Sequence, residues 1–356
     1  MRLRIDEKEH CSVTLCRKRR RGMKSTITFA TALVLAFLLV GTTAGVSMAQ
    51  AEDPKVLEAC KDGKESVSAE KLPSEVSLEE CPVDDRAIVD NGVEAVLPDA
   101  GEGVYAEVLT AEGSQELVLA RRNDGTVELN KVGDDVEESS SDDAESTLYG
   151  AESGPNPCRS RAYNLTRWKV YDRVAYRYNY RTTPRSLKRR ATGRAIRRAG
   201  ANIVNNRNSC RIGDRVDSRI AFQGGTRRAA DVSSTGRCTR NDGSSVVSFG
   251  GLRGPLAVTC IFFTLRGGYD EVTSSDIRID RSNTKWTTKP RARSCRRAYD
   301  VESVMTHEFG HTFGLNHVSE RRHPNQTMSP RINGPCQLSE KSLGRGDVLG
   351  LTRKYR

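Results

Sequence analysis

The sequence predicts an α+β fold for residues 156–356, and three observations carry that expectation. Val174, Tyr176, Tyr178 and Tyr180 alternate with polar residues, the period of a half-buried strand. Leu187, Ala191, Ala195, Ala199 and Ile203 recur at four-residue steps among arginines, which draws one apolar stripe along a helix. A second helix should begin after Asp300, a good N-cap, and run through Val301, Val304 and Met305. About 200 residues are enough to bury a real core.

In chain order, Trp168 opens the first strand, and Thr183-Pro184 then offers a cap followed by proline at the first helical position. Short strands are expected around 219–222, 245–249, 257–263 and 275–279. The order is therefore β-α-β-β-β-β-α, with glycines in the connecting loops.

The 356 residues carry a formal charge of +11, which averages opposed segments. Residues 52–155 hold 28 acidic and 8 basic residues, a balance of −20, whereas residues 156–356 hold 15 and 40, a balance of +25. Segments this unlike read as separate units, joined by a solvated Ser-, Asp- and Pro-rich linker over 137–157. Ahead of both, the basic run from Arg17 to Arg21, the apolar stretch Ile27 to Val40 and Ala49-Gln50-Ala51 have the layout of a secretory signal peptide over 1–51. The apolar stretch is short for a membrane span. No stable span is expected after cleavage.

Eight cysteines follow, two in the acidic and six in the basic segment, as suits disulfides closing within each unit of a secreted protein. Six cysteines allow fifteen pairings. Pairing in chain order (158 with 210, 238 with 260, 295 with 336) is the expectation, with Cys60–Cys81 in the acidic part. Residues 52 to about 100 are low in aromatics and read as loosely structured. Between 101 and 131, short apolar runs and Asn123-Asp124-Gly125 point to a small β unit.

The chemistry concentrates in His307-Glu308-Phe309-Gly310-His311-Thr312-Phe313-Gly314-Leu315-Asn316-His317. His307 and His311, four apart, share one helix face and can share a metal. Glu308 beside them can take a proton from an activated water. On a continuing helix His317 would lie about 240° round and ~9 Å along from His311. Gly314 removes that obstacle, because glycine accepts the positive φ that ends a helix and turns the chain back. Three of the five histidines fall in this run, which a helix of ordinary surface histidines does not explain. His323, in a polar Arg-Arg-His-Pro loop, reads as solvated.

This run resembles the extended HExxHxxGxxH motif of the metzincin zinc proteases, matching at every defining position. Met328, eleven residues past His317 and followed by Ser-Pro, resembles the family's turn methionine under the metal. The resemblance covers about 165–356 and is closest to matrixin-like secreted metalloproteases. It implies a twisted mixed sheet with a backing helix and an active-site helix, then a small C-terminal subdomain after the third histidine. Residues 342–351 look like the closing helix of matrixins. One catalytic Zn2+ on His307, His311 and His317, with Glu308 as general base, would hydrolyse peptide bonds of an extended protein or peptide substrate. Its edge strand is expected near 244–263. Residues 52–155 would be a partly disordered small-β pro-region, itself a partner of the basic domain.

Departures stand beside the matches. Val318 follows the third histidine, where matrixins usually place serine and astacins glutamate, and the pro-region lacks the Arg-Cys-Gly stretch that would supply a blocking thiolate around Cys81. Structural calcium is common in related enzymes; Asp242, Asp270 and Asp276 are the candidates. A zinc hydrolase on a non-peptide bond, or a non-catalytic zinc module on anionic cell-wall or matrix polymers, would share these residues. A nucleic-acid partner is disfavoured, since aromatics do not interleave with the basic residues in a recognised pattern.

Overall fold

A computed structural model describes residues 55–61, 65–84, 86–131, 156–213, 216–292 and 295–356. The signal segment expected over 1–51 and nearly all of the linker expected over 137–157 lie outside the described residues.

The acidic part contributes β1 (Glu75–Ser77), β2 (Glu102–Leu109), β3 (Ser114–Arg121) and β4 (Thr126–Lys131). The basic part contributes β5 (Arg173–Tyr178), β6 (Arg219–Gly225), β7 (Ser245–Gly250), β8 (Ala257–Thr264) and β9 (Asp270–Asp280). All nine join one sheet in the order β6-β5-β7-β9-β8-β2-β3-β4-β1. Its half from the basic segment is mixed: β6, β5, β7 and β9 run parallel and β8 runs antiparallel at their margin. β2 then pairs antiparallel with β8 along eight residues, and the acidic strands continue as a meander.

Three helices complete the basic part: α1 (Arg189–Val204), α2 (Val301–Thr312) and α3 (Arg345–Tyr355). The period-2 alternation of the strands divides the core in two. On one face Val174, Tyr176 and Tyr178 of β5 pack with Ala195, Ala199 and Ile203 of α1 and Val304 and Phe309 of α2. On the other, Val258, Cys260 and Phe262 of β8 pack with Val104, Ala106 and Val108 of β2. The two segments thus share an apolar core. Across their boundary the structure also pairs Arg167 with Glu128 at 2.7 Å and Arg237 with Glu94 at 2.5 Å.

The β-α-β-β-β-β-α order stands as expected, with local departures. α1 starts at Arg189 instead of Pro184, because the Thr183 hydroxyl pairs with the Tyr178 hydroxyl at 2.6 Å and donates to Tyr180 O at 2.9 Å. It is therefore spent on the preceding chain, not on the first helical amides. Trp168 forms its own two-residue strand with Lys169, beside β9. Residues 65–97, expected to be loose, hold a small sheet of Ser66–Ser68, Ala87–Asp90 and Val93–Val96 over buried Val67, Ile88 and Val93. Disulfides join Cys60–Cys81, Cys158–Cys210, Cys238–Cys260 and Cys295–Cys336, pairing in chain order.

Candidate metal centre

Asp300 starts α2 by accepting from Ser303 N at 3.3 Å, and buried Val301, Val304, Met305 and Phe309 fix the helix against the sheet. That rotation turns His307 and His311 to one face. The helix ends at Thr312. Gly314 then adopts φ +82°, and its N–H returns to His311 O at 2.8 Å. A Cβ there would meet Trp168 O at 2.5 Å, so both conformation and space require glycine. The reversal delivers His317. The three Nε2 atoms lie 3.2 Å (307 to 311), 3.1 Å (311 to 317) and 3.2 Å (307 to 317) apart.

The outer nitrogens orient these rings. His307 Nδ1 donates to Thr327 O at 2.7 Å, His311 Nδ1 faces Leu315 O at 3.2 Å, and His317 Nδ1 lies 2.5 Å from Glu116 Oε1. With the ring protons assigned to those partners, three bare lone pairs point at one another, an arrangement that a cation at their centre relieves. A tetrahedral zinc with Zn–N near 2.0–2.1 Å separates its nitrogens by about 3.3 Å, close to the observed spacing. Burial would lower the His317 pKa, yet Glu116 and Glu107 outweigh it and push it up to about 10. The cage calls for positive charge. The donor set fits zinc.

A fourth donor comes from an unexpected place. Glu107 of β2, in register with Thr259 of β8, sets Oε1 3.3 Å from His307 Nε2 and 3.2 Å from His317 Nε2, and Oε2 3.2 Å from His311 Nε2. Glu107, His307, His311 and His317 form a buried group able to bind a metal ion, with ligand atoms within 4.8 Å of one another. The sequence reading missed Glu107 and Glu116. A signal was there: each carboxylate adjoins a run of apolar residues, 104–106 for Glu107 and 117–120 for Glu116, where burial is rare unless the charge is met.

Glu308 is wholly buried, and its Oε2 accepts from the Thr259 hydroxyl at 2.5 Å while Oε1 has no hydrogen-bond partner. Burial first, and the charge of Glu107 next, push this carboxyl well above its usual range; a dication in the cage acts in the opposite direction. Met328 is buried, and a Cβ on Gly310 would come within 2.3 Å of its sulfur. The thioether therefore packs on the helix turn between two of the histidines. Asp347 of α3 fixes that turn by accepting from Thr327 N at 3.0 Å, Met328 N at 3.3 Å and Gly344 N at 2.8 Å.

Other candidates fall away from the centre. Asp270 pairs with Arg167 at 2.6 Å and Asp242 with Arg228 at 2.8 Å, while Asp276 accepts from Asp231 N at 3.0 Å. No calcium cage among the described residues unites Asp242, Asp270 and Asp276. His323 is half-buried and hydrogen-bonded to Ser160 at 2.9 Å, instead of solvated. Cys81 is tied to Cys60, so its sulfur is no thiolate ligand. Of the stretch 244–263, β7 lies inside the sheet, whereas β8 is the margin of the basic half and is paired with β2.

Among known proteins, the family model described as matrixin matches residues 167–356. No curated protein matches the chain.

Proposed function

The chain belongs to the matrixin family, and on that premise we propose that it is a secreted zinc endopeptidase made as a precursor, with 52–155 as pro-region and 156–356 as catalytic domain. The coarser identity, a zinc metallopeptidase, follows from the matrixin domain together with the histidine cluster. One observation supports the catalytic reading: three Nε2 atoms within 3.1–3.2 Å of each other, beside a buried carboxylate one residue from the first of them.

His307, His311 and His317 would hold the ion. When bound, zinc polarises a substrate carbonyl and acidifies water. Glu308 would accept the proton of the attacking water and pass it to the leaving amine as the C–N bond breaks. The Thr259 hydroxyl holds one oxygen of Glu308 and leaves the other bare for that transfer. Once freed, the margin of β8 would pair with an extended substrate by main-chain hydrogen bonds.

Four disulfides support an extracellular setting, and no helix among the described residues is long and apolar enough to cross a membrane. Exposed Arg189, Arg190, Arg194 and Arg197 on α1 suit attraction to anionic wall or matrix polymers.

The test is casein digestion by protein freed of its acidic segment. Digestion should stop with a zinc chelator, and Glu308→Gln should lower it by about 10²–10⁴-fold while zinc content is kept. Full activity in that variant contradicts the assigned role. An unbiased peptide library left uncut by wild type would point to a non-peptide bond.

A further inference from the structure

Glu107 and Glu116 are at most 7 % exposed and sit in the buried stretches of the β2–β3 hairpin. Burying a carboxylate costs several kcal/mol unless opposite charge meets it. Their partners are the imidazoles of the cage, the Ser114 hydroxyl at 2.7 Å for Glu107 and the Tyr105 hydroxyl at 2.8 Å for Glu116. A single proton on the imidazoles meets at most one of the two carboxylates; a dication at the centre of the cage meets both.

The backbone says where this hairpin lies. β2 pairs with β8 from Leu109 opposite Ala257 to Glu102 opposite Thr264, so it takes the main-chain bonds that an extended substrate would need. Two residues from Glu107 on the same strand face, Tyr105 rests on Trp168, ring centroids 5.0 Å apart, and lies 5.4 Å from the His311 ring. On the other side Leu109 enters the helix-facing core beside Leu256. Ser114 Oγ also contacts Pro330 O at 2.9 Å, which fastens the hairpin to the segment just after Met328.

We propose that β2 is an internal stand-in for substrate. Its backbone fills the groove along β8, and the Glu107 carboxylate takes the metal position that a water must hold for hydrolysis. The chain with this hairpin seated is therefore latent, and the blocking donor is a carboxylate instead of a thiolate. Activation would be a ligand exchange: the contact between the metal and the Glu107 carboxylate breaks, a water takes the vacated position, and no covalent bond of Glu107 changes. Cutting the linker alone does not suffice, because the eight-residue ladder and the shared apolar core still hold the hairpin.

This inference rests on the metal reading above, and its test avoids peptide hydrolysis. The full chain is loaded with cobalt(II), and wild type, Glu107→Gln and Glu107→Ala are compared; the near-isosteric glutamine guards against a folding defect in the alanine variant. Wild-type visible bands should be indifferent to millimolar azide. Both variants should show shifted bands that respond to azide, and should release metal to a chelator ~10–100-fold faster. Azide entering wild type as readily as the variants, or three identical spectra, overturns the proposal. A spectrum against Glu107 would leave proteolysis by the exposed cage standing, and a failed casein digest would leave the place of Glu107 to the cobalt result.

Discussion

On one side of the metal cage, residues 307–328 are held by interactions short in sequence; on the other, Glu107 arrives from 200 residues away. The histidine side depends on a capped helix, a glycine reversal and a buried methionine, with the outer nitrogens of His307 and His311 turned to nearby backbone carbonyls, while that of His317 meets Glu116 from the other side. The glutamate side depends on a strand ladder and an apolar surface shared with β8. The first cannot be withdrawn without unfolding the domain. The second can leave as a piece, because every strand of the hairpin belongs to the acidic segment. The difference separates a permanent half of the site from a replaceable one.

The largest expected effect breaks the permanent half. Gly314→Val places a β-branched residue at φ +82°, where its Cβ meets Trp168 O. It should destabilise the fold by about 3 kcal/mol or more and leave less than stoichiometric zinc, measured by thermal melts and metal assay. Wild-type zinc content in that variant would show that the reversal does not depend on glycine.

A pH effect comes next, from the same half. Glu340, buried after the methionine turn, accepts from Asn333 N at 2.9 Å and has its pKa pushed up to about 7 by burial. Its folded pKa lies above its unfolded one, so stability is full below pH ~4.5 and falls as pH rises towards 7, by up to about 3 kcal/mol. Glu340→Gln should flatten that fall in melts taken from pH 4.5 to 8. An unchanged slope would place the cause elsewhere.

The smallest effect sharpens the replaceable half. Glu116→Gln weakens the contact to His317 Nδ1 without touching the cage itself. Zinc affinity of the full chain should drop about tenfold, while azide stays excluded because Glu107 remains. Azide entry would mean that Glu116, not Glu107, closes the site.

The two halves were also unequally legible. Spacing alone placed His307, Glu308, His311, Gly314 and His317, because a helix and one left-handed residue convert short sequence separations directly into geometry. Met328 was legible by resemblance, though not its contact with Gly310. The order of strands and helices from 168 to 312 was readable from periodicity and the Asp300 cap, and the closing helix by resemblance. The start of α1 was missed, since the Thr183 hydroxyl serves a tyrosine that local pattern does not reveal. Glu107 and Glu116 stand out as carboxylates beside apolar runs, but their place at the cage was out of reach for a different reason: strand register across distant segments depends on which edges meet, and no local period encodes that. The charge split marked the two segments as unlike, but did not show that they meet through β2–β8 pairing and a common core.

Anomalous diffraction at the zinc edge, from crystals of the full chain, tests the central claim most directly. The account predicts one peak about 2.0–2.1 Å from the Nε2 atoms of His307, His311 and His317, with a Glu107 oxygen completing the shell. A peak elsewhere, or His317 turned away from a metal held by the other two, would contradict it.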